Sequence, residues 1–357
     1  MEKEASQKDY ILYYDLLNIS ACLAVIYLHC NGIVHSFSAT SAWGQALAVE
    51  VMAYWAVPVF FMLTGAKTLN YRLRYTTKQF LESRLKRLFV PFIFWSLFLF
   101  YFRNASLLTN QETHTGLGLF IKALMGNTIE PTYWFFWSMF SISFAIPAIS
   151  LLINNQRLIN YLIGTFFIFH SIFPTLFRLL GIPWNDGLVN PIVSSYLGYV
   201  LIGFRLSTRD DLFETRKSRI SLYVVALLCL AFRYVYTYIT SMCSGEVNRV
   251  LFDYNSMVAV IPSVAVFIVF RQLFSGTRLS AHLTKPLPLK VIKSLSKCCF
   301  GVYLIHKLIL DNLMVGVLGI PMESCFMRQV CPLLIFIICV ILVTLIKHIP
   351  LIKSTMP

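Results

Sequence analysis

The sequence has very little charge. Asp, Glu, Lys and Arg together occupy 13% of its 357 positions, against roughly 25% in an ordinary soluble domain. Hydrophobic residues make up 57% of the chain. This composition excludes a disordered chain, and a soluble nucleic-acid-binding protein would carry many more ionic residues. We therefore expect an integral membrane protein with no nucleic-acid partner.

Cysteine is present, but the spacing that would give it a structural role is missing. The nine cysteines are an odd number, and most of them lie inside apolar stretches. No C-x-x-C motif and no Cys/His ligand spacing occurs in the sequence. Because zinc sites and disulfide frameworks need such patterns, we expect neither structural disulfides nor a bound metal.

Long apolar stretches recur along the whole chain and predict an all-α, polytopic membrane protein. No soluble appendage interrupts them, so we expect a single membrane domain over residues 1–357. About ten transmembrane helices are expected, at Leu16–Val34, Ala46–Ala66, Leu88–Phe102, Thr132–Ile153, Leu158–Phe177, Leu188–Phe204, Ile220–Met242, Tyr254–Phe270, Cys298–Ile320 and Gln329–Ile346.

Acidic residues are scarcer than basic ones, and the imbalance predicts an orientation. The chain has 16 Asp and Glu against 30 Lys and Arg, for a net charge of +14. With ten spans and a cytoplasmic N-terminus, 23 basic residues fall on the cytoplasmic side and five on the outer side. Cytoplasmic loops are enriched in Lys and Arg. We therefore expect both termini in the cytoplasm, and a multi-pass protein of a cell membrane, in the simplest case a bacterial plasma membrane.

The segment 67–87 is the most informative cytoplasmic connection. In LESRLKRLFVPF, Leu81, Leu85 and Leu88 recur at helical spacing beside a cluster of basic residues. This pattern predicts an amphipathic helix at the membrane interface, leading into the third span. The cluster can anchor the helix on anionic lipid headgroups, or it can bind a polyanionic ligand. Both interpretations stay open at this point.

Ionisable residues inside spans are costly and therefore candidates for function. His29 and Glu50 lie at similar depths in neighbouring antiparallel spans, about 6–8 Å below the predicted outer ends. A carboxylate beside an imidazole would fix its tautomer, as a general base requires. The alternative is that His29 bonds a helix carbonyl and Glu50 pairs elsewhere. The other candidates inside spans are His170, Arg233, His306, Lys307 and Asp311, of which Lys307 and Asp311 are spaced to neutralise each other.

Several motifs together resemble the acyltransferase-3 family of membrane O-acyltransferases. The opening YYDLLNISACLAVIYLHCNG is similar to the first span of that family. The further similar stretches follow in the family's order: FFMLTGA, RLKRLFVPFIFWS, YWFFWSMFSISFAIP, YLGYVLIGF and GVYLIHKLIL. Their order, rather than any one motif, carries the resemblance over most of the chain.

The resemblance implies transfer of an acyl group, usually acetyl, from coenzyme A to a hydroxyl of a surface glycan. The family pairs an Arg with a His in its first span. Here His29 matches the His, whereas Asn18 occupies the Arg position. Arg84 and Arg87 match the family's R-x-x-R, and His306 matches the ninth-span His. A second departure is Thr132, where related sequences often carry a His.

These residues give a specific expectation for the chemistry. The candidate catalytic residues are His29, Glu50 and His306, with His29 as the general base. Asn31, Tyr27 or His306 could stabilise the oxyanion. Acyl-CoA, in the simplest case acetyl-CoA, is expected on the cytoplasmic side, held by Asn18, Arg84, Lys86 and Arg87. Direct transfer and a transient acyl-histidine are both compatible with the sequence.

Two other functional classes fit parts of the sequence. A transporter or flippase for a glycan or lipid intermediate would also use buried Glu50, Arg233, Lys307 and Asp311. Against it, the two halves of the chain show no repeat. A sensor or scaffold without catalysis is the third class, favoured by Asn18 in place of the family Arg. The expected partners are therefore acyl-CoA, a glycan acceptor and the lipid bilayer.

Overall fold

The structure is a computed structural model that describes residues 10–103, 116–193, 196–208, 213–350 and 352–356. Within these ranges the chain is helical and contains no β-strand. The α-helices, labelled in chain order, are α1 Leu12–His29, α2 Ser41–Ala53, α3 Ala56–Thr68, α4 Thr77–Arg84, α5 Val90–Arg103, α6 Leu117–Met125, α7 Trp134–Ile149, α8 Gln156–Phe166, α9 Phe173–Leu179, α10 Leu197–Thr208, α11 Arg216–Ser244, α12 Met257–Phe274, α13 Arg278–Leu283, α14 Pro286–Leu308, α15 Cys325–Gln329 and α16 Cys331–Lys347.

The predicted all-α membrane architecture of about ten spans is confirmed. Eight helices or helix runs in the described residues are long and apolar enough to cross a membrane. Two shorter apolar helices lie at the places of the sixth and tenth predicted spans. Cys331–Lys347 covers nearly all of the tenth, whereas Leu197–Thr208 overlaps only the second half of the sixth, because residues before it form short 3-10 turns at Asp186–Leu188 and Pro191–Val193. The cytoplasmic placement of both termini stays a prediction from the loop charges.

The first span ends earlier than predicted. We expected it to reach Val34, but α1 ends at His29 and a 3-10 turn follows over Gly32–His35. The chain turns here because the Asn31 amide, buried just beyond the helix, donates to the Ala46 carbonyl at 2.8 Å. His29 therefore lies at the end of its helix rather than five residues below it.

The second span is divided at Tyr54 and Trp55. Helix α2 ends at Ala53, just before these residues, and α3 begins at Ala56, just after them. Pro58 lies in the first turn of α3. Proline has no N–H to give to the carbonyl four residues earlier, so the ladder of hydrogen bonds is interrupted at Tyr54. Tyr54, the residue at this break, is buried.

Two motifs of the sequence pack directly against each other at the centre of the bundle. Gly65, in FFMLTGA of α3, lies against the backbone of Val200 in YLGYVLIGF of α10. Gly203 of the second motif lies in the same way against Met62. A Cβ at either glycine would collide with the opposite backbone, so both positions require glycine.

Helix α1 lies inside the bundle, with contacts to α2, α3, α12, α14 and α16. A π-helical stretch over Phe167–Ile172 contains the candidate His170, and two further π-helical stretches adjoin the predicted catalytic and donor-binding residues. One, Leu85–Phe89, joins α4 to α5 and contains Lys86 and Arg87. The other, Ile309–Val317, continues α14 just beyond His306 and Lys307. Such bulges often occur at functional sites because they redirect side chains.

Candidate active site

Helix α1 presents one face to α14, and this contact holds much of the predicted site. Three side-chain contacts at helical spacing join the two helices: Asn18 to Ser296, Cys22 to Cys299 and His29 to His306. The residue numbers rise together, so the two helices run in parallel. The first and ninth spans were predicted to have the same direction, and this packing agrees with that prediction.

His29 and His306 form a hydrogen-bonded pair. His29 Nδ1 lies 2.6 Å from His306 Nε2, and the ring planes are inclined by 14°. His306 is 1% exposed, whereas His29 is half-buried. Sequence spacing could not predict this pair, because 277 residues separate the two histidines.

Backbone contacts of His306 determine which atom of each ring carries the proton. His306 Nδ1 lies 2.7 Å from the carbonyl oxygen of Tyr303 and 3.2 Å from that of Val302. Carbonyls only accept, so His306 Nδ1 carries a proton and its Nε2 accepts in the neutral ring. His29 Nδ1–H must then be the donor. The hydrogen-bond network thus assigns the unprotonated lone pair of His29 to Nε2, which makes no hydrogen bond to the described residues.

The 3-10 turn Pro131–Tyr133, directly before α7, is bonded to α14 beside this pair. The Tyr303 hydroxyl donates to the Thr132 carbonyl, and the Tyr133 hydroxyl donates to the Leu304 carbonyl at 2.9 Å. The Tyr303 ring lies 5.6 Å from the His306 ring. These contacts hold the backbone whose carbonyl orients His306. A single side chain, that of Tyr303, therefore links the Thr132 carbonyl to His306.

A series of ion-paired side chains lies next to His306, at the same end of α14. Lys307 and Asp311 form the predicted i, i+4 ion pair at 2.6 Å. Arg103 lies 3.9 Å from Asp311 and 2.6 Å from Glu130. Glu130 is 2% exposed and accepts from the Thr132 hydroxyl at 2.9 Å. Lys307 directly follows His306 in α14.

Glu50 is buried on α2, but its neighbours differ from those expected. Arg233 and Asn31 are the polar side chains that act on its carboxylate. No hydrogen bond in the described part of the chain joins Glu50 to His29, so the expected pair is not formed. The reason is geometric: α1 turns His29 towards α14, whereas α2 packs against α11, which carries Arg233.

The residues predicted to bind the donor lie at the opposite end of α1. Asn18 Nδ2 donates to the carbonyl and hydroxyl oxygens of Ser296 at 3.0 and 3.1 Å. Arg84 is half-buried, with its guanidinium 5.7 Å from the Phe80 ring. Lys86 and Arg87 are exposed.

Lys67 joins this basic group and was not singled out from the sequence. It stands near the end of α3, and its charge interacts with those of Asp15, Arg84 and Arg87. Its ammonium lies 5.7 Å from the Tyr14 ring. The signal available in the sequence was its position, directly after FFMLTGA and at the start of the segment 67–87. The basic mouth is defined here as Lys67, Arg84, Lys86 and Arg87.

The described residues contain no group of three or more His, Cys, Asp or Glu side chains that could hold a metal ion.

A family model described as an acyltransferase domain matches residues 11–348, which is nearly the whole chain. No curated protein and no solved structure matches the sequence.

Proposed function

The chain belongs to this acyltransferase family, and from that premise we propose that it moves an acyl group, in the simplest case acetyl, from cytosolic acyl-CoA to a hydroxyl of a cell-surface or exported glycan. The observation that carries the proposal is the orientation of His29. Its Nδ1 is bonded to His306 at 2.6 Å, and its Nε2 is left to accept a proton. We place the chain in a cell membrane, with both termini in the cytoplasm.

His29 acts as general base in this proposal. Nε2 removes the proton from the acceptor hydroxyl while the oxygen attacks the thioester carbonyl. The tetrahedral intermediate then collapses: the carbon–sulfur bond breaks, and the coenzyme A sulfur leaves with the proton held on His29. His306 is a positioning residue, because it accepts from His29 Nδ1–H throughout and so stabilises the imidazolium.

Two side chains that were expected to stabilise the oxyanion already donate hydrogen bonds to backbone carbonyls. The Asn31 amide donates to Ala46, and the Tyr27 hydroxyl donates to Gln329. Lys307 directly follows His306 in α14 and takes no part in the hydrogen bond between the two histidines. We assign to Lys307 the electrostatic stabilisation of the oxyanion, with Asp311 holding its ammonium in place at 2.6 Å.

The donor is held at the basic mouth. Coenzyme A is polyanionic, and Arg84 and Arg87 offer planar forks suited to phosphate oxygens, with Lys86 and Lys67 adding charge. Asn18 lies eleven residues before His29, or about 16 Å along the helix. The pantetheine arm is long and thin enough to cover that distance. Because Asn18 Nδ2 is bonded to Ser296, its Oδ1 is the atom that can accept from a pantetheine amide.

A single assay tests the reaction. Membranes containing the chain, and membranes from the same host without it, are incubated with acetyl-CoA labelled in the acetyl group. Label that reaches extractable glycan only when the chain is present is the expected result. Transport or flipping of a glycan intermediate, the alternative function, would leave the glycan unlabelled.

A further inference from the structure

Helix α11 carries a buried polar stripe that the proposed reaction does not use. Most of this helix faces outward and is apolar, as at Leu227 and Leu228, which are 66% and 63% exposed. Its buried positions form one narrow line along the helix: Leu222, Ala226, Cys229, Arg233, Thr237 and Ser241. The second half of that line is polar. A polar stripe turned into a membrane bundle is costly unless something binds to it.

Arg233 is the centre of this stripe. It is 0% exposed, and none of its three guanidinium nitrogens has a hydrogen-bond partner among the described residues. Its guanidinium carbon lies 3.6 Å from the centre of the Tyr54 ring and 5.2 Å from that of Phe252. These rings cover its faces, while its N–H groups, which point along the plane, are left without acceptors.

Neighbouring polar side chains also lack hydrogen-bond partners among the described residues. Glu50 Oε2, Asn31 Oδ1 and Thr237 Oγ1 are all buried without a partner in the described part of the chain. Together with the three nitrogens of Arg233, they make up six of the fourteen buried side-chain atoms in that condition. We call Asn31, Glu50, Arg233 and Thr237 the α2–α11 cluster. An unpaired buried donor or acceptor costs about 1–3 kcal/mol, and more when charged, so such a concentration is not expected of a purely structural contact.

One member of the α2–α11 cluster, Asn31, lies near the His29–His306 pair. Asn31 follows His29 by two residues, so their Cα atoms are at most about 7 Å apart. A stack of rings leads from the cluster to the same place. Tyr54 stacks on Tyr254 with centroids 4.2 Å apart, and Tyr254 stacks on Trp134 at 5.9 Å. Trp134 follows Thr132 by two residues, and the Thr132 carbonyl receives the Tyr303 hydroxyl beside His306.

We propose that the α2–α11 cluster binds the acceptor, and that it recognises a neutral sugar ring through its hydroxyls. This inference rests on the proposed function, which supplies the need for an acceptor beside His29. The unpaired N–H groups of Arg233 donate, the oxygens of Glu50 and Asn31 accept, and the Thr237 hydroxyl does both. Sugar hydroxyls also do both. Because Glu50 balances the charge of Arg233, a neutral polyhydroxyl ligand fits this cluster better than an anion.

The half-buried rings of Trp134, Tyr196 and Tyr254 add an apolar surface to the site. The apolar face of a sugar ring packs on such surfaces, while its hydroxyls point to polar groups at the edge. A ring held there by Arg233 and Glu50 would present a further hydroxyl towards His29 Nε2. This arrangement separates binding of the acceptor from removal of its proton.

The test uses the purified full-length chain in lipid nanodiscs, with methyl glycosides of glucose, galactose, mannose and N-acetylglucosamine as probes. The variants are Arg233→Lys and Thr237→Val. Arg328→Lys is the matched control, since Arg328 is also buried, at 2% exposure, but its two terminal nitrogens, Nη1 and Nη2, donate to the Glu323 carbonyl and the Gln45 side chain. Three quantities are measured: equilibrium binding of acetyl-CoA, the KM for each glycoside, and the thermal stabilisation that each glycoside gives.

Arg233→Lys is expected to raise the KM of an accepted glycoside about tenfold, and Thr237→Val several-fold, because each loses hydrogen bonds to the sugar. Binding of acetyl-CoA and kcat stay as in the parent chain, and Arg328→Lys keeps the parent KM. Variants that fold, bind acetyl-CoA and keep the parent KM would overturn the acceptor site while leaving the transfer reaction in place.

The thermal stabilisation by glycosides tests the acceptor site even if no acyl transfer is detected. A parent chain that neither binds acetyl-CoA nor transfers label contradicts the proposed function. The acceptor site is then supported if glycosides stabilise the parent and Arg328→Lys but not Arg233→Lys. It is overturned if no glycoside stabilises the parent chain.

Discussion

Two helix contacts, α1 with α14 and α2 with α11, differ in how their polar groups are satisfied. Where α1 meets α14, the polar side chains have partners: Asn18 bonds Ser296, and His29 bonds His306. Where α2 meets α11, Glu50 Oε2 and all the nitrogens of Arg233 have none among the described residues. The first contact holds the His29 ring in one orientation. The second has donors and acceptors left over, as a ligand-binding surface needs.

The comparison assigns different kinetic roles to the two contacts. A group fixed by internal hydrogen bonds and facing the reacting atoms contributes to kcat, because it acts in the transition state. Groups that bind a ligand uniformly contribute to KM. Changes on the α1–α14 contact should therefore lower the rate of the chemical step, and changes on the α2–α11 contact should weaken acceptor binding.

The largest effect is expected from His29→Ala. Loss of the general base should lower kcat by about 10²–10⁴-fold, while the protein still inserts and binds acyl-CoA. The measurement is transfer of label from acetyl-CoA by membranes with matched amounts of protein. His282→Ala is the control, since His282 is an exposed residue of α13. Normal transfer by the His29 variant would remove His29 from the mechanism.

The next effect tests the role of His306 as a positioning residue. His306→Ala removes the acceptor for His29 Nδ1–H and should lower kcat on the order of 10²-fold, with the KM for acyl-CoA unchanged. His306→Gln should recover much of the loss, because a Gln side chain offers an oxygen near the place of Nε2. Equal loss in both variants would mean that the imidazole has another role, such as direct contact with substrate.

Arg84→Gln and Arg87→Gln should each raise the KM for acyl-CoA about tenfold with little change in kcat, since each removes charge-assisted contacts to phosphate. Arg74→Gln is the control: Arg74 is exposed and lies in the same segment before α4. Initial rates over a range of acyl-CoA concentrations separate the two constants. A change confined to kcat would argue against donor binding at the basic mouth.

The smallest expected effects are on the free energy of unfolding, with one substitution at each of the two contacts. Ser296→Ala removes the hydroxyl that accepts from Asn18 and donates to Asp15 at 2.7 Å, and should destabilise the protein by about 1–2 kcal/mol. Thr237→Val replaces a buried hydroxyl that has no partner among the described residues and should leave stability unchanged or raised. Thermal unfolding in the same detergent gives both values. A large loss in Thr237→Val would show that this hydroxyl is paired.

The local sequence pattern was enough to predict the helices and one ion pair. The Lys307–Asp311 pair was predicted because an i, i+4 spacing places both side chains on one face whatever surrounds the helix. The ten spans were predicted because bilayer thickness fixes the length of an apolar run. The end of α1 was predicted too late, since Val34 is as apolar as the residues before it and the turn depends on Asn31 reaching Ala46.

Contacts between distant helices could not be predicted in the same way. His29 was expected beside Glu50 from depth alone, but depth does not tell which way a helix is rotated. The rotation of α1 is set by its whole face against α14, and only the assembled bundle pairs His29 with His306. Arg233 had no partner in the sequence for the same reason: Glu50 and Tyr54 come from another span.

The protonation state of the His29 ring tests the central claim most directly. Nitrogen-15 NMR of the purified chain, labelled in its seven histidines, distinguishes the two neutral tautomers, and His29→Gln identifies the signals of His29. The account predicts a proton on Nδ1 and an unprotonated Nε2 at neutral pH. A proton on Nε2, with Nδ1 unprotonated, would contradict it, because His29 could not then accept a proton from the acceptor hydroxyl.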